Sequence, residues 1–377
     1  MKIHIWKSTM WIVNLLLAFF TIAAGYGGVV NPEISSIPAI LAMTFPGWIF
    51  LIAMMIIVDW FACRRVIIMP LLSLMLTWGA LANFSPINFS NSKSHDNAGT
   101  DSTFTFMSYN VFAFFNHPKI TASKNDNQQT QKEAKADAVN ATASYILEKH
   151  PDLATFQEFP AFHPNKHLHY TQLQVDSMLT LFPHHVDVRG EAVCSRYNLT
   201  PVQLRQPNGN FAWYCGAMAN IQGHQVLVVS VHLESIGLND EDKELYTELT
   251  KGEGRNKMHK VKQQLLSKLS AAFKKRAQQA QLLREQIDSL GVENVIIAGD
   301  FNDIQGCYAL RELCQDDFKN AFVEAGCGPT ITYHANRFYF HIDHIVYRGK
   351  MKAIDYTRGR CPYSDHYPIM ATFKWEE

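Results

Sequence analysis

Residues 295–303 read VIIAGDFND, an apolar run that ends in a group of polar side chains. A run this short, rich in β-branched residues and followed by glycine, favours a buried strand over a helix. Asp300 and Asn302 then follow at the end of that strand. Because α/β proteins place their sites at the carboxyl ends of strands, the segment predicts an α/β fold and the location of a site.

Five further segments repeat this arrangement, with polar groups at or beside the end of an apolar stretch. The side chains concerned are Asn110, Glu158, His232, Asp343, Asp365 and His366. A single carboxylate at a strand end is usually a turn or a cap, and a single histidine in a strand is usually a core residue. A whole series of carboxylate, amide and imidazole groups is not explained by capping, so we expect them to meet at one edge of a sheet.

Short apolar stretches alternate with helical patterns throughout the second part of the chain. The predicted strands are 104–111, 154–158, 213–221, 226–233, 295–299, 341–347 and 369–373, and the predicted helices are 134–149 and 257–290. The mixture indicates one α/β domain of about 275 residues, which is long enough to bury a sizeable core.

The residue types at the strand ends also predict a reaction class. Carboxylate and amide oxygens suit Mg²⁺ or Mn²⁺, which bind one or two carboxylates together with substrate phosphate oxygens. Two histidines and the remaining aspartates supply acid, base and orienting groups. The sequence has no GxSxG or GxxxxGK[ST] segment, which argues against α/β-hydrolases and P-loop NTPases. Metal-assisted hydrolysis of a phosphate ester is therefore the predicted reaction.

Taken in order, the motifs resemble the endonuclease/exonuclease/phosphatase superfamily, which includes pancreatic-type deoxyribonuclease and neutral sphingomyelinases. They are SYNV (108–111), PDLATFQE (151–158), SVHLES (230–235), GDFND (299–303), IDHIVY (342–347) and YSDHYPI (363–369). Residues 190–199 (GEAVCSRYNL) resemble a further central segment. The likeness covers residues 104–377, and GDFN with SDH is its most specific part.

The resemblance implies a fold and a metal site. The fold is a four-layer α/β sandwich, in which two mixed β-sheets lie face to face with helices outside. Glu158 would bind the divalent metal, Mg²⁺ or Mn²⁺, with help from Asn110 and Asp365.

The resemblance also implies catalytic roles. Asp300, held with Asn302, would position or deprotonate the attacking water, and His366, oriented by Asp343, would hold the scissile phosphate. His232 would act as general acid toward the leaving oxygen. The division is physically reasonable because a carboxylate can activate water opposite the leaving group, while a carboxylate–imidazole pair fixes which ring nitrogen faces the substrate.

Other polar residues carry weaker expectations. His344 follows Asp343 on a strand, so it points to the opposite face and is expected to be structural. His163, His167 and His169 lie in a Pro/Asn/Lys-containing stretch, which favours a loop over a zinc site. Arg196 suits a phosphate contact and a surface ion pair equally well.

The first 84 residues have a different composition from the rest. They contain six charged side chains, whereas residues 85–377 contain all the others of the 34 Lys+Arg and 34 Asp+Glu. Three apolar segments, near 10–30, 38–58 and 66–84, each have the roughly 20 residues that a spanning helix needs. The sequence therefore predicts a membrane anchor of three transmembrane helices.

The basic residues predict the orientation of this anchor. Lys2 and Lys7 precede the first segment and Arg64 and Arg65 follow the second, while residues 31–37 have no Lys or Arg. The positive-inside rule places the N-terminus in the cytoplasm and the C-terminal domain on the periplasmic or extracellular side. A cleaved signal peptide in place of the first helix would also export that domain.

The predicted organisation is an anchor over 1–84, a Ser/Asn-rich linker over 85–103 and a catalytic domain over 104–377. Six of the seven cysteines lie in the exported part. This even count permits up to three disulfides, and buried free thiols are an equally good interpretation.

The substrate stays open at this stage. The exported part has 30 Lys+Arg against 32 Asp+Glu, which is not the basic excess of a tight duplex binder. A basic stretch over 251–276 fits an anionic surface, although a solvated helix face explains it better. A membrane-anchored, nuclease-like phosphodiesterase leads, with nucleic acid or a phospholipid head group as substrate and no protein partner indicated. The alternatives are a sphingomyelinase-type phospholipid phosphodiesterase and an inactive tethered binding domain.

Overall fold

The computed structural model describes residues 2–88, 102–114, 128–159, 172–208, 213–237, 258–315, 317–335, 339–361 and 363–376. The chain forms two compact units. The first comprises Met1–Ile87, Ile236–Gln281 and Ile304–Leu313, and the second comprises Asn88–Ser235, Leu282–Asp303 and Cys314–Glu377. Most of the predicted linker and all of the His163, His167, His169 run lie outside the described residues.

The N-terminal part of the first unit is helical. Its helices are α1 (Lys2–Gly25), α2 (Ile37–Met43), α3 (Phe45–Ala62), α4 (Ile68–Leu76) and α5 (Trp78–Phe84). Two stretches are long and apolar enough to cross a membrane, Trp6–Val29 with a mean hydropathy of 1.8 and Phe45–Ala62 with 1.9. Only 33% and 17% of these windows are buried, whereas the core helix of a water-soluble fold is mostly covered.

The prediction of three continuous spanning helices is wrong for the third segment. The chain breaks at Thr77 into α4 and α5, of nine and seven residues. The Thr77 hydroxyl donates to the carbonyl of Ser73 at 2.7 Å, and such bonding back to the preceding turn bends helices. The second segment also differs, because it begins as α2, breaks at Thr44 and continues as α3 beyond residue 58.

The remaining elements form an α/β arrangement. In chain order they are β1 (Thr103–Asn110), α6 (Gln128–Lys149), β2 (Leu153–Gln157), α7 (Gln172–Leu181), β3 (His184–Val188), β4 (Glu191–Ser195), β5 (Leu199–Val202), β6 (Trp213–Ile221), β7 (His224–His232), α8 (Met258–Leu290), β8 (Asn294–Asp300), α9 (Tyr308–Leu313), β9 (Lys319–Asn320), α10 (Ala321–Ala325), β10 (Asp343–Arg348), β11 (Met351–Arg358) and β12 (Ile369–Trp375). The strands β3, β4, β5, β9 and β11 were not among the predicted strands, although β4 lies in the segment 190–199 that the family resemblance marked.

The twelve strands make two mixed six-stranded sheets, both in the second unit. Their orders are β11-β12-β1-β2-β4-β3 and β5-β6-β7-β8-β10-β9. Each sheet has one parallel pair, β1 with β2 and β7 with β8. The parallel pairs place the carboxyl ends of their strands side by side, which is where the polar groups of the sequence follow.

The main core lies between the sheets, and a second core lies outside the first sheet. Alternate residues of β1 separate the two, since Phe104 and Phe106 join the inner core while Met107 and Tyr109 join the outer one. The outer core also contains apolar side chains of α6 and α7. The predicted α/β sandwich of two sheets flanked by helices is therefore confirmed. All seven cysteines are free thiols, so the permitted disulfides do not form.

Candidate active site

The strand register brings the predicted polar residues together in the second unit. In the parallel pair of β7 and β8, His232 lies opposite Asp300, and in the antiparallel pair of β8 and β10, Asp343 also lies opposite Asp300. In the other sheet Asn110 ends β1 beside the last residue of β2, and Glu158 follows at once. Three carboxylates, an amide and an imidazole thus meet where β1, β2, β7 and β8 end and β10 begins.

Gly299 makes the approach of β8 to β7 possible. Its φ of +151° and its closeness to β7 exclude a side chain, since an ideal Cβ would lie 1.9 Å from the carbonyl oxygen of Val231. Only glycine fits such a close backbone approach. The glycine of the GDFND motif therefore sets the distance between His232 and Asp300.

Asn110 joins the two sheets at the centre of the site. Its Nδ2 donates to Asp300 Oδ2 at 3.1 Å and to Glu158 Oε1 at 3.3 Å. Its backbone carbonyl accepts a 2.7 Å hydrogen bond from Ser364, which fixes the segment that carries Asp365 and His366. A buried amide with this many partners holds several chain segments in register.

Asp300 has two imidazoles within reach of one carboxylate oxygen. Its Oδ2 lies 3.5 Å from His366 Nε2 and 3.7 Å from His232 Nε2. Its other oxygen accepts from the backbone N–H of Asn302 at 2.8 Å, and the Asn302 side chain donates to the carbonyl of Leu233 at 3.0 Å. Asp300 is 2% exposed, so its neighbours act through little water and their charges are felt strongly.

His366 is held by Asp343. The Nδ1 of the ring lies 2.8 Å from Asp343 Oδ2, so this nitrogen carries a proton and Nε2 faces Asp300. Burial by itself lowers the pKa of His366, but the charges of Asp343 and Asp300 and the hydrogen bond to Asp343 outweigh it and raise the pKa well above its usual value. These partners favour the protonated form of the ring.

His232 has a partner that was not among the predicted site residues. Glu191 Oε1 lies 3.6 Å from His232 Nδ1, and Glu191 Oε2 accepts from Ser230 at 3.0 Å. Burial lowers the pKa of His232, but Glu191 and the charge of Asp300 raise it to about 9. Burial likewise raises the pKa of Glu191 to about 7. The only sequence signal for Glu191 was its place in residues 190–199, because a carboxylate that starts a strand looks like a turn residue.

The donor set fits a divalent cation at Glu158 and Asp365. Asp365 Oδ1 is buried and accepts no hydrogen bond from any described residue. Burial raises the pKa of Asp365, which His366 opposes and the charges of Glu158 and Asp300 reinforce. A cation would relieve the cost of holding these hard oxygen ligands together.

A second combination is geometrically close but chemically poorer. Ligand atoms of Asp300, Asp343 and His366 lie within 4.8 Å of one another. However, Asp343 and His366 already satisfy each other at 2.8 Å, and a metal there would have to break that bond. The ligand set expected from the sequence therefore stays Asn110, Glu158 and Asp365.

Two residues with weaker expectations lie away from this chemistry. His344 is buried, and its Nε2 lies 2.9 Å from the backbone oxygen of Asp303, as expected for a structural residue. Arg196 pairs with Asp152 at 3.1 Å. Because Asp152 precedes β2 and Glu158 follows it, this ion pair lies at the opposite end of the strand, and the phosphate-contact interpretation of Arg196 is wrong.

Two sheets flanked by helices, with acids and imidazoles at the strand ends, define a hydrolytic site of the metal-dependent kind. A family model described as the Endonuclease/Exonuclease/phosphatase family matches residues 107–366, and the chain belongs to that family. It is a metal-dependent phosphoric ester hydrolase. A second family model, described as a domain of unknown function (DUF8431), matches residues 7–84.

Solved structures with a similar fold have low sequence identity. Truncated TDP2 of Caenorhabditis elegans is 16% identical, with coverage of 72% of this chain and 98% of that one and a TM-score of 0.47. An endonuclease/exonuclease/phosphatase from Beutenbergia cavernae is 14% identical, with coverage of 73% of this chain and 72% of that one and a TM-score of 0.48. The human Nocturnin catalytic domain with bound sulfate is 14% identical, with coverage of 73% of this chain and 94% of that one and a TM-score of 0.46. A search of curated proteins returned no match. The family assignment rests on the family model alone.

Proposed function

We propose that the chain is a Mg²⁺- or Mn²⁺-dependent phosphodiesterase of nuclease type, held at a membrane by its N-terminal helices. The observation that carries the reaction is the position of Asp300. One of its carboxylate oxygens lies within 3.1–3.7 Å of Asn110, His366 and His232. A base flanked by two cationic imidazoles suits attack on an anionic ester.

In this mechanism Glu158 and Asp365 hold the cation, and Asn110 holds Glu158 in place. The bound ion supplies positive charge that offsets the charge of the phosphate. Asp300, fixed by Asn302 and Asn110, accepts the proton of the attacking water. This division leaves the two imidazoles for the phosphate and the leaving group.

The two imidazoles act on opposite parts of the ester. His366, oriented by Asp343, presents Nε2–H to the phosphate and stabilises its developing charge. His232, whose pKa of about 9 keeps it protonated at neutral pH, donates a proton to the leaving oxygen. Glu191 holds the other nitrogen of that ring, so only Nε2 faces the substrate.

The test uses the full-length protein in detergent with bis(p-nitrophenyl) phosphate, a generic phosphodiester. We expect turnover with Mg²⁺ or Mn²⁺ and none with EDTA. Absence of metal-dependent turnover in the wild type would sink the proposal. A panel of DNA, RNA and sphingomyelin then separates the nuclease-type activity from the sphingomyelinase-type one.

The membrane part of the proposal rests on the apolar helices. Side chains such as Leu15 (59% exposed), Phe19 (60%) and Phe50 (65%) lie on uncovered helix faces. A continuous exposed apolar surface of this kind marks a membrane or protein interface. The same placement favours a phospholipid head group as the second candidate substrate, because it keeps the chain near lipid.

Contacts inside the first unit favour a third crossing of the membrane, made by a broken pair of helices in place of one continuous helix. The loop after α1 bonds to the exported part of the chain, as Asn31 donates to Tyr308 of α9 at 3.3 Å and Ser270 of α8 donates to Ser36 at 2.8 Å. This loop and α8 must then lie on one side of the membrane. We infer that the broken pair α4–α5 returns the chain across the bilayer, where such breaks are tolerated inside protein.

A fusion experiment tests this topology. A reporter placed after Phe84, active only outside the cytoplasm, should be active, and the same reporter placed after Arg65 should be inactive. Activity in the cytoplasm after Phe84 would contradict the proposed orientation.

A further inference from the structure

The turn between β3 and β4 lies beside the active site. Residues Arg189 and Gly190 form this turn, and the Gly190 carbonyl accepts a 2.8 Å hydrogen bond from the backbone N–H of Phe159. An ideal Cβ on Gly190 would lie 3.8 Å from the Cα of Glu158. Arg189 is therefore carried next to the loop that holds the proposed metal ligand.

Trp213 extends the site from the other sheet. In the antiparallel pair of β6 and β7 it lies directly opposite His232. Opposite residues of such a pair point to the same face, with Cβ atoms about 4.5–5.5 Å apart. The half-buried indole is thus a direct neighbour of the proposed general acid.

Arg189 lies on this indole. Its Cζ is 4.3 Å from the centroid of the Trp213 ring, and the side chain is exposed. Among the described residues, Arg189 makes no other recorded ion pair or side-chain hydrogen bond. A stacked guanidinium keeps its N–H groups free at its edge, in the geometry that binds phosphate oxygens.

The spacing places this cation one step away from the reacting group. His232 is paired with Trp213 across β6 and β7, and the guanidinium stacks on the indole of that pair at 4.3 Å. Arg189 is therefore a neighbour of His232 through Trp213. This placement suits a second anionic group of the same substrate.

We propose that Arg189, supported by Trp213, binds a second phosphate of the substrate, next to the one that is cleaved. The inference rests on the proposed function, which places the scissile ester at His232. The preferred substrate then carries at least two phosphates, which favours a polynucleotide over a phospholipid with a single phosphodiester. A polyphosphorylated inositol has the same chemistry, and the experiment below distinguishes the two.

Binding without turnover tests this directly. Full-length protein in detergent with EDTA is titrated with a fluorescein-labelled single-stranded oligonucleotide over a range of salt concentrations. Arg189→Gln should weaken binding about tenfold and reduce the slope of log K against log salt by about 0.7, the value for one lost contact on a single strand. Arg196→Gln is the matched control, because Arg196 is paired with Asp152, and it should stay within twofold of wild type.

Competition identifies the source of the second phosphate. Suppose that inositol hexakisphosphate binds more tightly than the oligonucleotide and also loses more affinity in Arg189→Gln. The site then belongs to a polyphosphorylated inositol. The reverse ranking assigns it to a polynucleotide. If Arg189→Gln equals wild type for both ligands, the proposal is overturned. The binding experiment uses neither metal nor turnover. A failure of the proposed hydrolysis would therefore be seen only in the activity assay and not in these affinities.

Kinetics add a readout that a structural role would not give. For the oligonucleotide, Arg189→Gln should raise KM about tenfold with less than a threefold change in kcat, and Arg189→Lys should recover part of the loss. An equal loss of kcat and kcat/KM with KM unchanged would contradict the proposal, because it would mean that Arg189 acts in the transition state or on the fraction of active protein and not in binding the substrate.

Discussion

The N-terminal helices and the strand-end site bury polar groups in opposite ways. In the helices, Thr21, Ser73 and Thr77 each donate to a carbonyl three or four residues earlier in the same chain segment. In the site, Asn110 reaches Asp300, 190 residues away, and Asp343 holds His366, 23 residues away.

The difference separates two uses of burial. A hydroxyl that bonds to its own helix is satisfied wherever the helix packs, so it fixes no tertiary position. A carboxylate or imidazole that is satisfied only by distant residues fixes the fold around it, and its pKa is set by those partners. The predictions below test this contrast, from the largest expected effect to the smallest.

Asp300→Asn should break the long-range set at its centre. The amide keeps the shape of the side chain but accepts no proton from water, so we expect kcat/KM to fall by about 10²–10⁴-fold. Hydrolysis of bis(p-nitrophenyl) phosphate at saturating Mg²⁺ measures this loss. Asp187→Asn, an exposed position in β3, is the matched control and should change activity less than twofold. Equal losses in both variants would disprove the role of Asp300.

Much of this site was predictable from sequence because its residues lie beside apolar strands. The apolar run before Asp300 marks the end of β8, the SDH motif directly precedes β12, and the strand register does the rest. Glu191 was not singled out, since its role depends on the pairing of β4 with β2 and on a neighbour in the other sheet. Arg196 was left open between two roles because nothing in the sequence shows which end of β2 it faces.

The apolar region was predictable in composition but less so in geometry. Hydropathy identified three segments, yet the third breaks at Thr77, whose φ of −99° and ψ of 14° lie outside the helical range. Composition counts apolar residues and takes no account of such a change in the backbone. Likewise the contact of the loop after α1 with α8 and α9 joins residues more than 200 positions apart, which no local pattern encodes.

Gly28→Ala should show that the first unit depends on close backbone packing. An ideal Cβ at Gly28 would lie 2.0 Å from the carbonyl oxygen of Gly306, so the backbone must shift, at a cost of about 1–3 kcal/mol. Thermal unfolding in detergent measures the loss. Gly47→Ala in α3, where nothing lies within 4 Å, is the control and should be neutral or slightly stabilising. An unchanged midpoint for Gly28→Ala would contradict the observed contact.

Glu191→Gln should change the pH dependence of activity, because Glu191 is the distant partner that sets the pKa of His232. His232 must be protonated to act as acid, so activity is lost as the pH rises through its pKa of about 9. Removing the negative charge should move this basic limb down by about 1–3 pH units. At pH 8.5 the variant should be about tenfold slower than wild type while near-normal at pH 6.

The same shift has a consequence for stability. Because the folded-state pKa of His232 lies above its usual value of 6.5, its contribution is complete below pH 6.5 and is lost as the pH rises through about 9. Glu293→Gln, an exposed glutamate in the turn before β8, serves as control for both measurements. A basic limb that stays in place in Glu191→Gln would rule out this coupling.

Asn14→Val tests a buried polar contact between α1 and α3 that resembles the contacts of the site. Asn14 Nδ2 donates to Asp59 Oδ1 at 3.2 Å, across 45 residues, and both side chains are fully buried. α3 continues beyond the predicted end at residue 58 and so contains Asp59. Interhelical hydrogen bonds in membranes contribute only about 0.6 kcal/mol on average, because the separated helices find other partners.

The expected effect of Asn14→Val is therefore small, a loss of about 0.6 kcal/mol in the free energy of unfolding. A denaturant titration in detergent measures this loss. Leu15→Val, on the exposed face of α1, is the control. A loss above about 2 kcal/mol would place the Asn14–Asp59 pair with the long-range contacts of the site. Asp59 would then be a group whose position the fold enforces, in the same way that Asn110 is enforced between the two sheets.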